Sequence, residues 1–130
     1  METQQFVKGM DVYKISATVI LCGIDVAVII GGGEKSHIGA MGLASPRPSL
    51  QNKDVVSASV SVLCVLGHKD DLLARAAALR LASKFNVNVV VSVGLHLDNA
   101  TTEDIEKLQT NFEAIIVEIE KWLLIQKLYF

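Results

Sequence analysis

Between Tyr13 and Leu21 apolar and polar side chains alternate, with Tyr13, Ile15, Ala17, Val19 and Leu21 on one side and Lys14, Ser16 and Thr18 on the other. A period of two marks a strand with one buried face. Cys22-Gly23-Ile24-Asp25 then places a glycine where a tight hairpin turn needs a positive φ, and Val26 to Ile30 returns as an apolar second strand. Gly31-Gly32-Gly33-Glu34-Lys35-Ser36 reads as a loop, because three successive glycines carry a high entropy cost of ordering. A third strand is expected over His37 to Ala44, carrying Gly39 and Gly42; glycine inside a strand admits a close neighbour or marks a bulge. Ser45 to Asn52, with Pro46 and Pro48, reads as a surface loop.

From Val55 onward the pattern changes. Val56, Ala58, Val60, Val62, Cys64 and Leu66 share one face of a fourth strand, and Leu63 and Val65 replace serine on the other, so this strand is expected to be buried on both faces towards Gly67. An alanine-rich helix over Lys69 to Phe85 shows two apolar sides, Leu72/Ala76/Leu79/Ser83 and Ala74/Ala77/Ala78/Leu81/Phe85, which calls for two packing partners. Val87 to Leu95 is continuously apolar, as in a central strand. Thr101, three residues before Asp104, is a candidate N-cap for a last helix with an apolar stripe from Ile105 to Leu123. These elements, in the order ββββαβα, predict an α+β domain of two layers, a five-stranded mixed sheet with both helices on one face.

The chain has 130 residues and fits a single domain over 1–130. Hydrophobic residues make up 51% and aromatics 5%, so the core must be built from small branched side chains. A formal charge of -2 without an aromatic-interleaved basic patch argues against nucleic acid. No apolar run approaches the roughly 20 residues that span a bilayer, and the first ten residues are too polar for a signal peptide. A cytoplasmic protein is expected, with Cys22 and Cys64 as reduced core thiols. The apolar tail Leu128-Tyr129-Phe130 and the second face of the first helix point to a homodimer.

Candidate chemistry gathers at the strand ends. A β-α-β crossover makes the fourth and fifth strands parallel, so Gly67-His68-Lys69 and Gly94 to Asn99 open at one edge. If strands two, three and four are antiparallel neighbours, the start of strand three joins them, and His37, His68 and His96 share that edge with the triple glycine. Two helix N-termini there, with Lys69 beside them, would favour an anion such as phosphate. A plainer reading has Gly67 and Gly94 turning the chain and the histidines and Asp98 serving loops and caps. Three histidines are also competent metal ligands, an alternative that is not favoured, since nothing in the sequence sets their separation. No nucleophile elbow or dinucleotide fingerprint is present.

The segments Gly33-Glu34-Lys35-Ser36-His37-Ile38-Gly39-Ala40, Gly67-His68-Lys69-Asp70 and Gly94-Leu95-His96-Leu97-Asp98-Asn99-Ala100-Thr101 resemble the small LpdD-like proteins, described as prenylated-flavin chaperones that accompany UbiD-type hydroxyarylic acid decarboxylases. The layout also looks like that of the small proteasome assembly chaperones. The resemblance implies a non-catalytic carrier of prenylated FMN, or of FMN, that serves a UbiD-type decarboxylase subunit. The residues offered as contacts for the flavin nucleotide are Gly32, Gly33, Ser36, His37, Gly39, Gly67, His68, Lys69, His96, Asp98 and Asn99. The competing readings are a metal-dependent enzyme on His37, His68 and His96, and an assembly or scaffold protein without a small ligand.

Overall fold

The computed structural model describes residues 1–65 and 70–128. Strands β1 (Thr3–Lys8), β2 (Ile15–Cys22), β3 (Asp25–Gly33), β4 (Ala40–Pro48) and β5 (Val56–Cys64) precede helix α1 (Asp71–Phe85), strand β6 (Val89–His96) and helix α2 (Thr102–Lys127). They form one mixed sheet of six strands in the order β1-β2-β3-β6-β4-β5. The class expected from the pattern is the one observed, with one strand more. β1 escaped the sequence reading because Thr3, Gln4 and Gln5 are polar and exposed; it forms an edge, antiparallel to β2, and buries little beyond Phe6.

The hairpin between β2 and β3 is as expected, with Gly23 at φ +62° and Cys22 paired to Asp25. β3 and β4, however, are not neighbours. β6 lies between them, parallel to β3 and antiparallel to β4, so the chain leaving β3 crosses the C-terminal end of β6 to enter β4. Nor do the three glycines form a loop: they continue β3, with Gly31 opposite Gly94 and Gly33 opposite His96. Ladder hydrogen bonds on both sides supply the order that the glycines cannot supply themselves.

Pro46 and Pro48, expected in a loop, belong to β4. Its pairing with β6 stops at Ala44, while its pairing with β5 runs on to Pro48. Ser49 donates to Val55 O at 2.7 Å, so by alternation the proline nitrogens face the side that β6 has vacated, where a missing N–H costs nothing. β5 is the opposite edge of the sheet from β1, and its end is not buried on both faces: Leu63 is 70% exposed and Val65 46%. Cys22 and Cys64 are both exposed rather than core thiols: Cys22 alternates with the buried Leu21 and points to the sheet face away from the helices, and Cys64 closes the edge strand β5.

Both helices cover the same face of the sheet, α1 over β4, β5 and β6 and α2 over β1 and β2. The core between them is Ile15, Val19, Val28, Ile30, Val91 and Val93 from the strands against Leu81, Ile115, Ile116 and Ile119 from the helices. Gly42 shows why α1 sits so close: a Cβ there would come within 2.9 Å of Ala74 O on the helix. The second side of α1 is shared with α2, where Leu73, Ala76, Ala77 and Arg80 face Gln109, Phe112, Glu113 and Ile116. Arg80 reaches across to Glu120, which is 6% exposed, and to Glu113. Leu72 of that side stays in solvent.

Candidate functional site

Six strand ends determine what can meet at the upper edge of the sheet. β1, β3, β5 and β6 end there, β2 and β4 begin there, and α1 and α2 start from it. The segment between β3 and β4 lies across the end of β6 on the sheet face away from the helices. Two opposed glycines clear its path: a Cβ on Gly31 would strike Ser36, and one on Gly94 would fall on the backbone carbonyl of His37. Gly33, at φ +78°, lets the chain turn away from β6, where a Cβ would collide with the His96 carbonyl. The Glu34 N–H then donates to His96 O at 2.7 Å and the Gly39 N–H to Val93 O at 3.1 Å, fixing both ends of the crossing.

That crossing brings His37 to His96, with ring centroids 6.1 Å apart and planes at 81°. The two rings address different carboxylates. His37 Nε2 lies 3.4 Å from Asp70 Oδ2, while His96 Nε2 lies 2.8 Å from Asp98 Oδ1. His37 Nδ1 is 3.3 Å from Lys35 O. Asp70, only 7% exposed, also accepts from the Leu95 N–H at 3.2 Å, and Gly39 has no side chain because one would overlap that carboxylate. Sequence reasoning did not include Asp70 among the site residues. The signal was a carboxylate following Gly-His-Lys at a helix start, which reads equally well as an N-cap; its side chain makes no cap hydrogen bond and turns to β6 instead.

Of the residues expected at this edge, Gly33, Ser36, His37, Gly39 and His96 are brought together, and Asp98 joins them through His96. Gly32 faces the opposite way, packed on Lys14 O and Ile15, and serves the β2–β3 contact. Asn99 is an exposed turn residue at φ +51°. Gly67, His68 and Lys69 lie outside the described residues. Among the described residues no group of three or more His, Cys, Asp or Glu side chains is arranged to hold a metal.

The edge carries an apolar cavity of about 460 Å³ between the starts of α1 and α2, lined by Leu72, Leu73, Leu95, Leu97, Ile105 and Leu108, with Asp70 and His96 on its wall. A smaller one of about 230 Å³ lies among Lys35, His37, Ile38 and His96. The expectation that both helix N-termini are open to an anion needs correction. At α2 the Thr101 hydroxyl accepts from the Asp104 N–H at 3.1 Å and Asp104 accepts from the Thr101 N–H at 2.9 Å, so the terminus is capped by its own box and carries Glu103 and Asp104 in its first turn. Tyr13 donates to Asp104 at 2.7 Å and holds that carboxyl below its usual range, aided by Thr101. A phosphate has no place on that terminus.

The fold and the edge together define a two-layer α+β domain with an apolar cavity of ligand size, walled by a histidine and a buried carboxylate. Comparison narrows the class. The family model of the prenylated flavin chaperone LpdD-like domain matches residues 9–124, and the chain belongs to that family. No curated protein matches it. Among solved structures it is similar to a chain of the crystal structure of a novel chaperone complex for yeast 20S proteasome assembly, at 15% identity and a TM-score of 0.56, over 95% of this chain and 99% of that one. At that identity the likeness is one of fold. No described helix is long and apolar enough to cross a membrane.

Proposed function

We propose that the chain binds a flavin mononucleotide, prenylated FMN in preference to FMN, at the edge formed by His37, Asp70 and His96, and delivers it to a UbiD-type decarboxylase without catalysing a reaction itself. The observation that carries this reading is the family match over residues 9–124. The chemistry of the edge is compatible with it. A flavin offers an apolar tricycle to the leucine-lined cavity, whose volume lies within the usual range for small-molecule sites, and a pyrimidine rim that hydrogen-bonds to imidazole and carboxylate. The phosphate belongs near Lys35 and the Gly67-His68-Lys69 stretch, since α2 is self-capped.

The test is anaerobic titration of the full chain with reduced prenylated FMN and with FMN, in wild type, Lys35→Glu, Lys69→Glu and Lys53→Glu. Lys53, in the turn between β4 and β5 at the far end of the sheet, is the control; Lys14 is unsuited, because its carbonyl accepts from Gly33 at the candidate edge. Reversing a charge that contacts phosphate lowers affinity roughly tenfold to a hundredfold, about 1–3 kcal/mol. Wild type that binds neither flavin at high micromolar concentration refutes the proposal, and stoichiometric metal in the same preparation would turn attention to the histidines as ligands.

A further inference from the structure

With both helices on one face, the other face of the sheet is bare below the β3–β4 crossing. Alternation along the paired strands puts Ile29, Met41, Leu43, Leu63 and Val90 on it, and Ile29, Met41, Leu43 and Leu63 are 44%, 37%, 51% and 70% exposed. Around them stand serine and threonine, and Ser92, opposite both Ile29 and Met41, leaves a dimple between two larger side chains. Among the described strand residues, the face carries two permanent charges, Asp25 and Arg47, of opposite sign and both at the edge away from the histidines. Each is already engaged, Asp25 by the Asn88 N–H at 3.0 Å and Arg47 by Ser59 Oγ at 2.9 Å.

We infer that a second copy of this chain covers this face, giving a dimer of four layers in which the two sheets lie back to back and the helices are outermost. The argument for a copy rather than a different protein is electrostatic. A surface related to itself by a two-fold axis meets its own charges, so a patch of one sign repels itself, whereas an apolar patch with balanced marginal charges does not. The size also fits. Six strands spaced about 4.8 Å apart, of six to nine residues and so about 20–30 Å long, present roughly 500–850 Å² including the part under the crossing, the same order as the ~800 Å² that each partner of a standard stable interface contributes. Two such faces pack about 10 Å apart with their strands turned about 30°. The interface therefore lies on the sheet, and the exposed Leu124 and Leu128 at the end of α2 are not its core.

The experiment is sedimentation velocity on the full chain, comparing wild type with Ile29→Glu, Leu43→Glu, Leu43→Lys and Leu124→Glu. Wild type and Leu124→Glu are expected to be dimers at micromolar concentration, and the three face variants monomers, with dissociation constants raised at least a hundredfold while far-ultraviolet circular dichroism stays that of the folded chain. Mixing Leu43→Glu with Leu43→Lys is expected to restore association, a result that misfolded variants could not give. A monomeric wild type overturns the inference, as does a dimer that survives the face variants and is lost in Leu124→Glu. The outcome is independent of the flavin titration.

Discussion

Arg80→Met tests how the helix layer is held. Arg80 on α1 donates Nε and Nη2 to the two oxygens of Glu120, at 3.1 and 2.7 Å, and Nη1 to Glu113 at 2.7 Å. The Glu113 arm is exposed and contributes little, about 0.5 kcal/mol or less. Glu120 matters more, because its carboxylate is 8% exposed and loses its main partner. Stranding a buried charge costs ~3–5 kcal/mol, but the Arg80 side chain is 37% exposed and Lys84 remains 3.4 Å away. Both reduce the loss, to ~2 kcal/mol. The sign with pH follows from Glu120. Burial pushes its carboxyl up, yet Arg80 and then Lys84 outweigh burial and the net direction is down from the usual 4.5. A lowered folded value means that the stabilisation is fully present above about 4.5 and disappears as pH falls through the folded value. Urea unfolding of wild type and variant at neutral pH and in acid measures it. A neutral-pH loss below ~0.5 kcal/mol, or one that stays unchanged in acid, would refute the account. Adding Glu120→Leu to Arg80→Met should recover part of the loss, since replacing both members removes the stranded charge.

Gly94→Ala places a methyl on the His37 carbonyl and should cost ~3 kcal/mol or more, with the histidine ring signals of the nuclear magnetic resonance spectrum shifted because the crossing is displaced. Tyr13→Phe should remove an alkaline titration that lies above the ordinary tyrosine range in wild type, since the hydrogen bond to Asp104, and then burial, raise the phenol. The raised value makes that stabilisation complete below the ordinary tyrosine range and lost as pH rises through the folded value. Loss of an absorbance change at the usual phenol pH instead would show that the bond to Asp104 is not made.

What the sequence conveyed and what it withheld follow from the range of each signal. Local signals held: Gly23 at the hairpin, the Thr101–Asp104 box and the single apolar stripe of α2 are decided within a few residues. Strand order is decided by pairings between distant residues, and nothing near residues 34–39 announces that β6 will insert beneath them. The glycines were therefore assigned to a loop, when the need for them is set across strands, Gly31 and Gly94 standing opposite each other under one crossing segment. The shared edge of His37 and His96 was expected from strands taken as antiparallel neighbours, and it survives because β6 runs parallel to β3 and antiparallel to β4. Asp70 was missed because its partner, the Leu95 N–H, is brought to it by the same insertion.

The central position of β6 also sets an order of events. On a ribosome the meander β1-β2-β3 and the hairpin β4-β5 emerge first, as two half-sheets with β3 and β4 each showing an unpaired edge, and no contact in the ladder joins them directly. Only after residues 89–96 have been made can one strand close both edges at once, by pairings that span up to 63 residues to β3. Such late, distant closure is slow, and open edges are sites of mispairing while it is pending. The edge at which His37 meets His96 exists in neither half and is assembled only when β6 takes its place.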